Sequence, residues 1–112
     1  MGKYTEMLEC LGNNTGEEQK LIPEFFEANG KLAATLGNLK ATDPVTKELM
    51  FLSFAVATRC EACIAYHTKM YKEVGGTRES LAELYAVSVL MQGGPGGVYA
   101  GKVLEAFDEY SK

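Results

Sequence analysis

The chain has 112 residues, of which 46% are hydrophobic and 23% are charged, and its net charge is −4. This length allows one domain with a real core but not two, so we expect a single domain over residues 1–112. A negatively charged chain repels nucleic-acid backbones and anionic lipid, so neither is an expected partner. The N-terminus lacks the profile of a secretion signal and no apolar stretch is long enough to cross a bilayer, which predicts a cytoplasmic protein.

The N-terminal third predicts two helices. Apolar residues at positions 4, 7, 8 and 11 have the spacing of one buried helical face. Gly12-Asn13-Asn14 predicts the end of this helix, and Thr15 with Glu18 has the form of a capping box that starts a second segment. Pro23 predicts the beginning of the main second helix, whose apolar side extends to Gly37.

The middle of the chain predicts a buried helix. Asp43 followed by Pro44 is a typical helix start, with aspartate as N-cap and proline in the first turn. The following residues, Leu49 to Ala57, are apolar on nearly all sides, which is typical of a central helix. So much apolar surface in a small protein also predicts that copies of the chain associate as a homo-oligomer.

Three more helices are predicted in the remainder of the chain. The first covers Glu61 to Glu73 and ends at Gly75-Gly76, the second is capped by Thr77, and the last covers Val98 to Tyr110 after a glycine-rich break at residues 93–97. No segment has the alternating pattern of a strand. The sequence therefore predicts an all-α fold, a single-domain bundle of five to six helices.

Two of the three cysteines and the only histidine follow one helical spacing. Cys60, Cys63 and His67 are three and four residues apart, so a helix that includes Cys60 places them along one stripe. Cysteines at this spacing can form a small disulfide ring. Cys60 lies at the predicted helix N-terminus, where unpaired N–H groups favour the reactive thiolate. His67 can accept the proton that a cysteine loses.

Glu48 is expected to lie beside His67. If a short turn after Thr58 joins two antiparallel helices, Glu48 lies about 15 Å before the turn, at 1.5 Å per residue. His67 lies at nearly the same level on the other helix. A carboxylate there can orient His67 and stabilise its cation.

Other interpretations of these residues remain open. Cys60, Cys63 and His67 could bind Zn²⁺, with Glu48 or a residue of another subunit as the fourth ligand. The cysteines could also be inert core residues in a non-catalytic, oligomeric helical module. Cys10, which has no partner in the sequence pattern, is predicted to be structural.

The interval Glu48-x11-Cys60-x2-Cys63-x3-His67 resembles the signature of the AhpD-like alkylhydroperoxidase branch of the carboxymuconolactone decarboxylase family. The resemblance extends over roughly residues 21–91 and includes Ile22-Pro23-Glu24-Phe25-Phe26 and Gly75-Gly76-Thr77-Arg78-Glu79. It implies an all-helical domain that assembles into trimers or hexamers and has peroxidase or disulfide-reductase activity.

The resemblance also implies roles for single residues. Cys63 would attack a small hydroperoxide or disulfide, Cys60 would resolve the product as a disulfide, and Glu48 and His67 would form a proton relay. The implied reductant is a lipoyl or thioredoxin-like dithiol protein, and no bound metal or organic cofactor is expected.

One position departs from the branch. The best-known AhpD enzymes have a histidine immediately before the second cysteine, where this chain has Ala62. A slower peroxidase, or a thiol oxidoreductase with another partner, fits this departure. The decarboxylase branch of the family lacks the cysteine pair, so lactone decarboxylation is not expected.

Overall fold

The computed structural model describes residues 2–112, which form five α-helices, one short 3-10 helix and no strand. The α-helices in chain order are α1 (Lys3–Leu21), α2 (Pro23–Ala34), α3 (Pro44–Ala57), α4 (Glu61–Glu73) and α5 (Arg78–Tyr110), and the 3-10 helix (Thr35–Asn38) lies between α2 and α3. The predicted all-α fold of five to six helices is confirmed. No helix within residues 2–112 is long and apolar enough to span a membrane.

Helices α3, α4 and α5 pack against one another around the main core. Burial of each large apolar side chain in such a core stabilises the fold by about 1.5–3 kcal/mol. A smaller cluster of Tyr4, Ala65 and Ala106 forms where α1 packs against α4 and α5. Helix α4, which carries the cysteines and His67, is therefore held from three sides. The fully buried large side chains of the main core are Leu52, Val56, Ile64, Tyr71, Leu81 and Val103.

The first turn of α1 is capped by a side chain from the far end of α5. Gly2, the N-cap residue, has no side chain that could do so. The Glu109 carboxylate instead accepts hydrogen bonds from the Thr5 N–H at 2.9 Å, the Thr5 hydroxyl at 2.8 Å and the Tyr4 N–H at 3.3 Å. Burial raises the pKa of Glu109, but the hydrogen bonds from Thr5 and Tyr4 outweigh it and hold that pKa below its usual range.

The predicted end of the first helix at Gly12 is wrong, because α1 continues to Leu21. Glycine and asparagine cost a helix about 1 kcal/mol or less each, but they keep the N–H group that the helix needs. The residue without an N–H is Pro23, and α2 begins there, with proline in its first turn as predicted. Thr15 therefore lies inside α1 and does not start a helix.

The predicted break over residues 93–97 is confined to Gly93. Its φ of 66° and ψ of −146° lie in a region that is essentially restricted to glycine. Helical structure resumes at Gly94, and Pro95 is tolerated because it lies in the first turn of the resumed segment. Gly96 packs directly against the Ser88 carbonyl, where a Cβ atom would collide.

The helix predicted to be buried on all sides is buried on one side only in the single chain. Met50 and Phe54 of α3 are 53% and 72% exposed. Helix α2 has no buried residue, and its Phe25 and Leu32 are 60% and 70% exposed. One face of α3 stays exposed because one 112-residue chain offers too few elements to cover both faces. The buried residues of α3 are Leu52, Ala55 and Val56.

Candidate functional site

The cysteine pair begins at the turn between α3 and α4. At the end of α3 the Arg59 N–H donates to the Val56 carbonyl at 3.2 Å and the Cys60 N–H donates to the Ala55 carbonyl at 3.0 Å. This is the Schellman arrangement, which places one residue in the left-handed region. That residue is Arg59, with a φ of 57°. The turn is therefore as short as the sequence predicts.

Cys60 is also the N-cap residue of α4. Its sulfur accepts a hydrogen bond from the Cys63 N–H at 3.2 Å, the role that serine or aspartate has in most helix caps. Cys60 and Cys63 are joined by a disulfide, with their Cα atoms 5.2 Å apart, and both residues are partly buried. After reduction, the positive end of the α4 dipole would favour a thiolate here. Cys10 is exposed and has a free thiol.

Glu48 and His67 are in contact, as the antiparallel geometry predicts. Oε1 of Glu48 lies 2.8 Å from Nδ1 of His67, and the two side chains are only 16% and 21% exposed. The start of α3 is fixed by its N-cap, because the Asp43 carboxylate accepts the Thr46 N–H at 2.8 Å. A carboxylate at Nδ1 favours a proton on that nitrogen, which leaves the Nε2 lone pair free to accept another.

Two aromatic rings that the sequence pattern did not single out surround the imidazole. The Phe51 ring is stacked on the His67 ring, with centroids 4.3 Å apart and planes inclined by 8°. Tyr66 meets the same imidazole edge-on, at 5.0 Å and 87°. Phe51 follows Glu48 by three residues, so the two share one face of α3. That spacing places Phe51 on the Glu48 side of α3, but it does not show that its ring meets the imidazole.

A cavity of about 330 Å³ lies next to the Glu48–His67 contact, and Glu48 and Phe51 form part of its wall. The opposite wall includes the 3-10 helix and the loop after it. Lys47 holds that wall, because its Nζ donates to the Leu36 carbonyl at 3.0 Å and to the Leu39 carbonyl. The volume is at the lower end of the range for small-molecule pockets. The cavity is open to solvent on one side, and Glu48 lies in its wall.

Within the described part of the chain, no three His, Cys, Asp or Glu side chains are grouped as the ligands of a metal ion would be. Both sulfurs of the predicted zinc set, Cys60 and Cys63, are joined in the disulfide. Zinc binding requires free thiolates, so such a site would first need the disulfide to be reduced.

The four predicted site residues thus occur as two contacting pairs. Cys60 is bonded to Cys63, and Glu48 contacts His67. His67 lies four residues after Cys63 on α4, so the two share a helix face. The catalytic roles assigned to these residues stay predictions.

Comparisons with known proteins agree with this architecture. Residues 23–106 match the profile of the carboxymuconolactone decarboxylase family. The chain is 38% identical over 93 residues to an uncharacterized protein of Cupriavidus necator, a match that covers 83% of this chain and 80% of that protein. It is 35% identical over 88 residues to uncharacterized protein 4 in the cox locus of Paracoccus denitrificans, which covers 79% and 77% of the two chains.

A solved structure is similar over almost the whole chain. It is the crystal structure of the apo form of a carboxymuconolactone decarboxylase family protein from Legionella pneumophila, with a TM-score of 0.92 and 34% sequence identity. The match covers 98% of each chain. Since the family profile spans most of the chain and the solved relative shares its fold from end to end, this protein belongs to the carboxymuconolactone decarboxylase family.

Proposed function

We propose that this protein is an AhpD-like oxidoreductase that reduces hydroperoxides or exchanges disulfides through Cys60 and Cys63. The observation that carries the proposal is the disulfide in the first turn of α4, one helical turn before a histidine that contacts a carboxylate. A disulfide between residues so close in sequence closes a very short loop, so it adds little to the stability of the fold. A redox role explains the pair better than a structural one.

The chemistry begins with the reduced protein. The Cys63 thiolate attacks one oxygen of the hydroperoxide, so an S–O bond forms, the O–O bond breaks and the alcohol leaves with a proton. The Cys60 thiol then attacks the sulfenic acid of Cys63, which forms the disulfide and releases water. A dithiol partner, of the lipoyl or thioredoxin-like type, supplies two electrons and two protons by thiol–disulfide exchange and restores both thiols.

His67 and Glu48 would move the protons in this cycle. His67 would accept the proton of the attacking thiol on Nε2 and return it to the leaving oxygen. The Glu48 carboxylate, at 2.8 Å from Nδ1, would stabilise the imidazolium that forms between these two steps.

Ala62 bears on whether the substrate is a hydroperoxide or a disulfide. It lies between the cysteines in the first turn of α4, at the position where the peroxidases that this chain resembles have a histidine. A methyl group cannot transfer a proton, so peroxide reduction here would depend on the Glu48–His67 pair alone. In the second version, Cys63 attacks a disulfide substrate, a mixed disulfide forms, and Cys60 displaces the second thiol.

The test is a peroxide-consumption assay on reduced protein, with mass spectrometry of the cysteines. Cys63→Ser is expected to abolish consumption, whereas Cys60→Ser is expected to accumulate a sulfenic acid or a mixed disulfide at Cys63. Cys10→Ser removes an exposed thiol outside the pair and is the matched control, with turnover expected to stay at the wild-type level. Wild-type turnover in Cys63→Ser would contradict the role of Cys63.

The other interpretations have different signatures. Stoichiometric zinc in the reduced protein, with loss of stability on chelation, would indicate a metal-stabilised helical module. A non-catalytic module would show neither peroxide consumption nor disulfide exchange, and its Cys60 and Cys63 would be alkylated no faster than Cys10. Either result would overturn the proposal.

We also propose that copies of the chain associate. Three side chains of α3 and α5, namely Phe54, Val87 and Met91, line one groove and are 72%, 56% and 79% exposed, and Leu90 beside them is 86% exposed. We call these four residues the exposed apolar face. Monomeric proteins rarely leave so many large apolar side chains together in water, and the resemblance implies trimers or hexamers.

A further inference from the structure

We propose that Phe51 is the positioning residue of His67: its ring fixes the plane of the imidazole and stabilises the imidazolium form. The inference rests on the proposed function, in which His67 accepts a proton, and it adds a side chain that lies outside the Glu48, Cys60, Cys63 and His67 signature. Its basis is the parallel stack of the two rings, with centroids 4.3 Å apart.

The contacts around His67 restrict the orientation of its ring. The hydrogen bond between Glu48 and Nδ1 fixes one atom of the imidazole, and the ring can still turn about that contact. Phe51 lies parallel to the ring plane, at 8°, and Tyr66 stands perpendicular to it, at 87°. A rotation of the imidazole would drive it into one ring or the other. The direction of Nε2 is therefore set by the two aromatic contacts together with Glu48.

The Phe51 ring also attracts the charged form of the imidazole. The face of a phenyl ring carries partial negative charge and attracts a cation within about 6 Å of its centre. The imidazole of His67 lies well within that distance and is only 21% exposed, so water screens the attraction incompletely. The stack therefore attracts the imidazolium that forms when His67 accepts a proton, as the Glu48 carboxylate on the ring edge does.

Phe51 is 36% exposed and belongs to neither core cluster, so filling the core does not explain its place. The next residue, Leu52, is fully buried and anchors α3 in the core. One rigid turn of α3 thus presents Glu48 to the edge of the imidazole and Phe51 to its face.

Two basic side chains on the helices packed against α4 form ion pairs with groups other than His67. Lys102 on α5 pairs with Glu61 at 3.0 Å, at the first residue of α4, about 9 Å along the helix axis from His67. Lys3 on α1 pairs with Glu105 of α5 at 2.9 Å. Glu48 is the charged group that contacts the imidazole, on the ring edge beside the Phe51 stack.

The experiment measures the alkylation rate of Cys63 against pH in reduced protein. Phe51→Leu keeps apolar bulk but removes the aromatic face. Without that face the thiolate–imidazolium pair is less stable relative to the thiol and neutral imidazole, so a smaller fraction of Cys63 is present as thiolate. We expect alkylation near neutral pH to slow about 2- to 5-fold. Phe51→Tyr, which keeps the face, should restore the wild-type profile.

The matched control is Tyr85→Leu, which removes a half-exposed aromatic ring of α5 that makes no ring contact with His67. Its profile should coincide with that of the wild type. A wild-type profile in Phe51→Leu, or an equal loss in Phe51→Tyr, would overturn the inference. Proton NMR of His67 in the same variants provides a second readout, because the face of a stacked phenyl ring shifts the resonances of the imidazole protons, and this shift should be lost in Phe51→Leu and kept in Phe51→Tyr. Neither measurement uses peroxide, so a failure of the peroxidase proposal would be recognised separately.

Discussion

At the scale of single residues, Cys60 belongs to two helix ends at once. Its N–H completes the end of α3 through the Ala55 carbonyl, and its sulfur caps the start of α4 through the Cys63 N–H. A serine in its place could make both hydrogen bonds, since serine is a preferred N-cap. Cys60→Ser is therefore a clean substitution, which removes the redox partner of Cys63 and leaves the turn intact.

At the same scale, Glu48→Gln tests the proton relay. Glutamine can still accept a hydrogen bond from Nδ1, but it carries no charge to stabilise the imidazolium. We expect peroxide or disulfide turnover to fall by about tenfold or more, with the thermal midpoint nearly unchanged. Steady-state kinetics and a thermal melt of the same sample check both statements.

The control for that substitution is Glu24→Gln, which neutralises an exposed carboxylate on α2, an element that does not contact α4. Its turnover should equal that of the wild type. If Glu48→Gln were as active as Glu24→Gln, the carboxylate would have no part in the chemistry.

At the scale of elements, the break in α5 depends on one residue. Gly93 has a backbone conformation that other residues reach only with strain, whereas Gly94 is helical and has open space where a Cβ would lie. We expect Gly93→Ala to lower the free energy of unfolding by about 1–3 kcal/mol, and Gly94→Ala to leave it unchanged or raise it by up to about 1 kcal/mol. Urea denaturation at one protein concentration measures the difference, and equal effects of the two substitutions would contradict it.

Elements also show how far the sequence predicts this fold. The starts of α2 and α3 follow from Pro23 and Asp43-Pro44, because proline fixes φ and aspartate supplies a cap. The ends of α1 and of the break in α5 do not, because glycine permits a turn without requiring one. Arg59 could not be predicted either, since its left-handed conformation is imposed by the packing of α3 on α4 and not by its own preference.

The sequence likewise predicts some contacts of the candidate site and not others. Glu48 and His67 could be brought together from helix rise and a short turn alone, and the disulfide followed from the three-residue spacing. The stacking of Phe51 could not be separated from the rest of an apolar run, because sequence shows which residues share a face but not which neighbour that face meets. The cavity depends on the 3-10 helix and on the Lys47 hydrogen bonds, which no local pattern indicates.

At the scale of the whole molecule, a single chain leaves a large part of its apolar surface in water. The exposed apolar face lies on α3 and α5, and α2 adds Phe25 and Leu32 on an element that contacts only α1 and the 3-10 helix among the residues described. Association of several copies would bury both surfaces and supply the second layer that α3 lacks.

This association predicts the effect of Phe54→Glu. Because Phe54 is 72% exposed in one chain, a charge there should leave the fold intact but oppose burial between copies. We expect sedimentation at micromolar concentration to show an oligomer for the wild type and a smaller species for Phe54→Glu, with unchanged helical circular dichroism. Asn13→Glu, an exposed change of equal charge on α1, should sediment as the wild type does. A wild-type monomer would remove the prediction.

The contact between Glu48 and His67 also sets a rule for chain length. The two residues are 19 positions apart, and the turn between α3 and α4 is too short to absorb a change in chain length. Deleting one residue of α3 after Glu48 would rotate its side chain by about 100° and shift it by about 1.5 Å, which turns the carboxylate away from the imidazole. The loop between the 3-10 helix and α3 lies outside this interval and can change length without moving either partner. In relatives that keep the pair, we therefore expect insertions and deletions in that loop and a constant count from Glu48 to His67.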